Sequence, residues 1–144
     1  MELQTSRFGK LTIAETKIYH FAQGLPGFEE QKSFVIIAPE NDRPFAFLQS
    51  TQDEKLSFII SDPFLFYPDY DFELPESAVA ELQITGTEQV LVRSIISVSK
   101  GLETATINLV APVVINQDNC EGKQVVLGRS TYMARHPLFT KEKR

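Results

Sequence analysis

Two histidines, one cysteine and two aspartates spaced two apart are the residues of this 144-residue chain whose types invite chemistry. Nucleophilic catalysis needs a hydroxyl or thiol beside an oriented base. His20 lies in a strand-like run between Tyr19 and Phe21, and His136 precedes Pro137. Neither sits in a local nucleophile–base motif, so no catalytic residue is assigned. Cys120, in the turn-like stretch DNCEG, reads as a passive surface thiol. As the only cysteine it excludes an internal disulfide and a thiolate zinc site. Asp69 and Asp71 in PDYDF share one face if the backbone there is extended. Such a pair suits Ca²⁺, a basic partner or water. A calcium loop needs further oxygen ligands at regular spacing, which the sequence lacks, so no metal site is assigned. Carboxylates distant in sequence can still meet as a glycosidase pair, but the chain has no Trp to serve as a sugar platform.

The glycines of FAQGLPGFEE (21–30) raise the question of a phosphate cradle. GLPG matches neither G-x-G-x-x-G nor a P-loop, it holds no base, and Glu29 and Glu30 repel a phosphate. No cofactor is expected. Gly24, Pro26 and Gly27 are turn chemistry, whereas Leu25 and Phe28 are large apolar groups that either brace a core or meet a partner. Phe28, preceding a strand, is expected to brace; Leu25 and Pro26 stay open. A second apolar stretch threaded with prolines is DPFLFYPDYDF (62–72), with Phe64, Phe66, Tyr67, Tyr70 and Phe72. Prolines confine it to edges, turns or irregular loops. Its aromatics are of the type that anchors interfaces, although core packing is the commoner fate of each one singly.

The elements that must position these residues have a period of two. In EQVLVRSIISVS, Val90, Val92, Ile96 and Val98 alternate with Leu91, Arg93, Ile95 and Ser97. In TATINLVA, Ala105, Ile107, Leu109 and Ala111 alternate with Thr104, Thr106, Asn108 and Val110. Similar runs fall at Leu11–Ala14, Lys17–Phe21, Phe34–Ile37, Pro44–Gln49, Leu56–Ile60 and Lys123–Leu127. Many short strands at this spacing predict a mainly β chain, a small antiparallel barrel or a sandwich, as one domain over residues 1–144. LPESAVAELQITG departs from the pattern. Pro75 at the first helical position, a Val79–Leu82 stripe and Gly86 beyond predict one short helix of two to three turns. Pro112 interrupts a central-looking strand and predicts a bulge or edge, with Asn108 and Asn116 bonding nearby backbone. TKEKR at the end reads as a frayed tail.

Charge narrows the function classes. The formal net charge is −5, which argues against a direct nucleic-acid binder. It is also uneven. Asp53–Glu88 carries nine acids and one base, a local −8, whereas Lys123–Arg144 carries six bases and one acid, a local +5. The acidic stretch is either solvated surface or a field that steers a basic protein partner. No apolar run approaches a membrane span, and the start has no signal-peptide pattern, so a cytoplasmic home is expected.

Several motifs, in order, resemble one family: RFGKLTI, FAQGLPGFEE with KSFVII, PFAFLQS, LSFIISDPFLFYPDYDFEL, TINLVAPVVIN, and KQVVL with ARHPL. Together they resemble the flagellar assembly factor FliW family over nearly the whole chain. The resemblance implies a small β-barrel-like fold, no catalysis and no cofactor. It further implies two protein partners, flagellin and the carbon storage regulator CsrA, a dimeric RNA-binding repressor of flagellin translation. On that pattern the two compete: free flagellin occupies the protein and liberates the repressor, and export of flagellin reverses this. A monomer when free is expected. The partner-binding candidates are Leu25, Pro26, Asp62, Phe64, Phe66, Tyr67, Asp69, Tyr70 and Asp71. The rival readings are a flagellin export chaperone without repressor binding and a small split-barrel flavoprotein.

Overall fold

The computed structural model describes residues 2–6, 9–12, 18–38, 44–98, 102–128 and 131–138. Seven strands close into a barrel. They are β3 (Tyr19–His20), β4 (Ser33–Ile37), β5 (Phe45–Ser50), β6 (Ser57–Ser61), β7 (Val90–Ser97), β9 (Val113–Asn116) and β10 (Glu121–Gln124). The ring runs β3–β4–β5–β6–β7–β9–β10 and returns to β3. Every pairing in the ring is antiparallel except the seam, where β10 meets β3 in parallel at one rung, Glu121↔His20. Two further strands, β8 (Thr106–Ile107) and β11 (His136–Pro137), extend from the end of β7. A separate hairpin of β1 (Glu2–Thr5) and β2 (Gly9–Thr12) hangs on the barrel through Ser6 N–H and the Glu54 carbonyl at 2.9 Å.

The alternation explains why the strands are apolar on both faces. One parity of each strand fills the barrel: Phe34, Leu48, Ile60, Val113 and Ile115 meet with Phe21 and Leu25, and Leu91 and Ile95 lean against them. The opposite parity faces outward yet is also covered. Ile96 packs with Ile107, Leu109 and Tyr70, and Val114 packs with Ala78, Leu82 and Val125. A strand buried on both sides reads as a near-continuous apolar run rather than a clean alternation.

The sequence-based element bounds shift in several places. Two short helices are present instead of one. α1 (Pro63–Phe66) lies inside the aromatic stretch: Asp62 caps it by accepting from Phe64 N–H at 2.9 Å, and Pro63 occupies the first turn. α2 (Glu76–Glu81) is shorter than two turns, with Pro75 at its N-cap rather than inside it. Ala78 within it and Leu82 at its C-cap, four apart, are buried. The strand expected at Lys123–Leu127 is Glu121–Gln124, and β2 is Gly9–Thr12. Ile13, Ala14, Lys17 and the tail 140–144 fall outside the described residues.

Pro112 does mark a break. Two residues of β7 separate the Arg93↔Val113 and Ile96↔Ile107 pairs, but five residues separate their partners. The excess loops out as 108–112, where the Asn108 carboxamide oxygen accepts from Ala111 N–H at 3.0 Å. Asn116 does more than bond nearby backbone. It accepts from Asp118 N–H at 2.9 Å and donates to the Leu82 carbonyl at 2.8 Å, tying the end of α2 to β9.

Candidate docking surface

The stretch 62–72 is a strap laid over the outer face of the barrel, and the structure sorts its residues by direction. Phe66 stacks on Phe45 with ring centroids 6.0 Å apart. Tyr67 donates its hydroxyl to the Pro137 carbonyl. Tyr70 is buried, donates to the Leu109 carbonyl at 2.7 Å, and meets Tyr132 edge-on at 4.7 Å. Burial pushes its phenol well above the usual tyrosine range, with Tyr132 adding to the shift. These three side chains therefore fasten the strap, with Tyr70 fully in the core. Asp62 is committed to capping α1. Phe64, Asp69 and Asp71 point outward, with Phe64 41% exposed and its neighbour Leu65 62% exposed. Asp71 is held in place through its own N–H, which the Tyr132 hydroxyl accepts at 3.0 Å.

The GLPGF turn inverts one expectation. Leu25 is 1% exposed and belongs to the barrel core, whereas Phe28, expected to brace, is 42% exposed. The reason is local. Gly24 and Gly27 both take positive φ, +63° and +86°, so the chain curls until Phe28 N–H donates to the Leu25 carbonyl at 2.7 Å. That turns Leu25 in and Phe28 out, where its ring meets Phe58 edge-on at 5.4 Å. Pro26 is exposed at the tip. Glu29 accepts from Gly27 N–H at 3.1 Å, and this bond holds its carboxyl below the usual carboxylate range.

Beside this turn is a polar cleft of about 420 Å³ reaching to α2 and β10. Lys123 Nζ crosses it to Glu81 at 3.0 Å and to Gln23 at 3.2 Å, and Gln23 donates to Glu81 at 3.2 Å. Lys123, the one cation among the described residues lining the cleft, is thus spent on a carboxylate, so the cleft offers an anion little. Among the described residues no group of three or more His, Cys, Asp or Glu converges as a metal site would require. His20 faces Glu121 at 3.3 Å across the seam, and His136 accepts from Met133 N–H at 2.8 Å. The histidines are thus on separate parts of the fold, each with a structural partner.

Sequence reasoning missed a groove of about 590 Å³ between the strap and α2, lined by Phe64, Phe72, Leu74, Val79, Ile84 and Val92. Val79, in the predicted apolar stripe of the helix, stands at the groove while Ala78 and Leu82 take the core. The alternation of Phe72 and Leu74 around acidic Glu73 was the available signal.

Comparison with known proteins settles the kinship. The sequence model of the FliW protein family matches residues 2–138. The chain belongs to the FliW family. Among FliW relatives, the flagellar assembly factor FliW of Bacillus subtilis (strain 168) is 41% identical over 138 residues, covering 96% of each chain. That of Desulfitobacterium hafniense (strain Y51) is 38% identical over 143 residues, covering 99% of this chain and 94% of the relative. A crystal structure of a flagellar assembly factor FliW superposes with a TM-score of 0.90 at 37% identity, covering 99% of both chains. The FliW barrel is therefore the fold of this chain. No helix among its described residues is long and apolar enough to cross a membrane.

Proposed function

We propose that this protein is a non-enzymatic cytoplasmic adaptor of flagellum assembly, which binds flagellin and antagonises the repressor CsrA. The observation that carries the reading is the match over nearly the whole chain to relatives named flagellar assembly factors. The surface chemistry supports it. The strap spends Phe66, Tyr67 and Tyr70 on rigid attachment and leaves Phe64, Asp69 and Asp71 outward. Rigid apolar anchors beside polar groups are the make-up of a protein-docking surface. Carboxylates there suit a partner that must be basic because it binds RNA. Mutual exclusion of two partners requires overlapping surface or two states that each selects.

Size-exclusion chromatography tests this directly: the protein is mixed with the repressor, then titrated with flagellin. Displacement of the repressor is the expected result. A stable ternary complex removes mutual exclusion, binding of flagellin alone leaves an export chaperone, and binding of neither sinks the reading.

A further inference from the structure

The groove between the strap and α2 has the chemistry of a peptide site. Its walls are apolar, and Phe64 and the adjoining Leu65 continue that surface outward. Asp71 and Glu73 stand on its rim, both exposed and neither in an ion pair among the described residues. Glu88, also exposed, follows Thr87 at the far end. Among the described residues lining the groove the charge is thus of one sign and in no ion pair, in contrast to Glu81, which Lys123 neutralises.

The strand beneath the groove is also incomplete. Pairing of β7 with β6 stops at Ser61↔Ser94, after which the chain leaves for α1. Among the described residues Val90–Arg93 therefore have a strand neighbour, β9, on one side only. The Gln89 and Ile95 carbonyls accept from Gln117 and Asn108 on the β9 and β8 side. Val92, of opposite parity, turns its carbonyl to the open side, where Arg93 Nη1 donates to it at 2.8 Å. The chain's own guanidinium thus covers one acceptor of this open edge.

We infer that this groove docks a segment of a partner protein, whose apolar side chains enter between Phe64 and Val79 and whose Lys or Arg flanks lie against Asp71 and Glu73. Charge complementarity selects the occupant: an acidic or purely apolar segment leaves both carboxylates uncompensated at the mouth. The inference goes beyond the adaptor reading, because it rests on the chemistry of the groove and not on the identity of either partner.

The test is selection of displayed random peptides on the intact protein. Selected peptides are synthesised with a fluorophore and titrated by anisotropy against wild type, Thr87→Arg and the pair Asp71→Lys/Glu73→Lys. Thr87 is exposed at the groove, so its replacement blocks the mouth without touching the core; unchanged melting temperatures verify that each variant folds. Expected are peptides with apolar residues flanked by Lys or Arg, whose binding falls about ten-fold or more in both variants. Their salt dependence should be present in wild type and lost in the charge-reversed pair. Failure to select any peptide, acidic winners, or winners that bind both variants as well as wild type overturns the inference. A wild-type dimer in sedimentation that Thr87→Arg dissolves assigns the groove to a second copy instead. Groove-specific peptides on a protein that captures neither flagellin nor the repressor would sink the adaptor reading and leave this one standing.

Discussion

Tyr70 donates its hydroxyl proton to the carbonyl oxygen of Leu109 at 2.7 Å, joining the strap to the loop that interrupts β8 and β9. Both partners are buried, so loss of the hydroxyl strands a carbonyl. Tyr70→Phe is expected to cost about 1–2 kcal/mol, read as a lower urea midpoint. The same tyrosine sets an alkaline limit. Burial raises Tyr70, Tyr67 and Tyr19 above the ordinary tyrosine value of 10.0. Above that pH the unfolded chain releases protons that the folded chain keeps. Their contribution is complete below pH 10 and is lost as pH rises further. A Tyr70→Phe protein should therefore show a flatter fall in stability above pH 10 than wild type; parallel curves would refute the assignment.

Gly24 and Gly27 make a contrast within one turn. An added Cβ at Gly27 meets open space, so Gly27→Ala carries only the left-handed backbone cost, about 1–2 kcal/mol. An added Cβ at Gly24 falls 2.7 Å from the Glu29 Cα as well. Gly24→Ala should be clearly the more destabilising of the two in thermal melts. Equal melting temperatures would mean that the turn relaxes without effort.

Gly122 serves a different need. A Cβ there comes 2.6 Å from Cζ of Phe21, a ring fully buried in the barrel. Overpacking of this kind costs about 1–3 kcal/mol. Gly122→Ala should lose stability in chemical denaturation, and adding Phe21→Leu should restore part of it. Additive losses in the double variant would contradict the steric account.

Charge reversal on the strap has to respect the cap. Asp62→Ala should cost about 1 kcal/mol through loss of the α1 N-cap, so altered partner binding in that variant reports on folding as well as charge. Asp69→Lys with Asp71→Lys is the clean pair, since both carboxylates are exposed. It is expected to weaken repressor binding and to reduce its salt dependence together, in isothermal titrations at low and high salt. Unchanged affinity at both salt levels would remove the acidic strap from the interface.

What could be read in the sequence follows from what is local. Alternation in VLVRSIIS announced a strand, and Pro112 announced the break between β8 and β9. Which parity of β7 lines the barrel was not legible, because Leu91 and Ile95 inside and Val90 and Ile96 outside are equally apolar. α1 carried its signal in plain view, Asp before Pro, but four residues give no periodicity to detect. Phe28, expected to brace, faces out and Leu25, left open, faces in because two left-handed glycines set the curl of the turn, and residue type does not report curl. The groove was hidden for another reason: it joins Phe64 to Val92, and no local pattern links residues that far apart.

The barrel's seam also has a consequence for time. Strands β3 to β6 follow one another as hairpins, so each pairing closes a short loop. The seam joins His20 to residues a hundred positions away through one parallel rung, the His20 N–H to Cys120 carbonyl bond at 2.7 Å and a side-chain pair. Long loops closed by few bonds form late and open early. Amide exchange at His20 should therefore outpace that at Leu48 and Ile60 in the meander. Slower exchange at His20 than in the meander would place the weak point elsewhere. The seam is therefore expected to be where this barrel opens first, as a sheet unrolling from its one parallel rung.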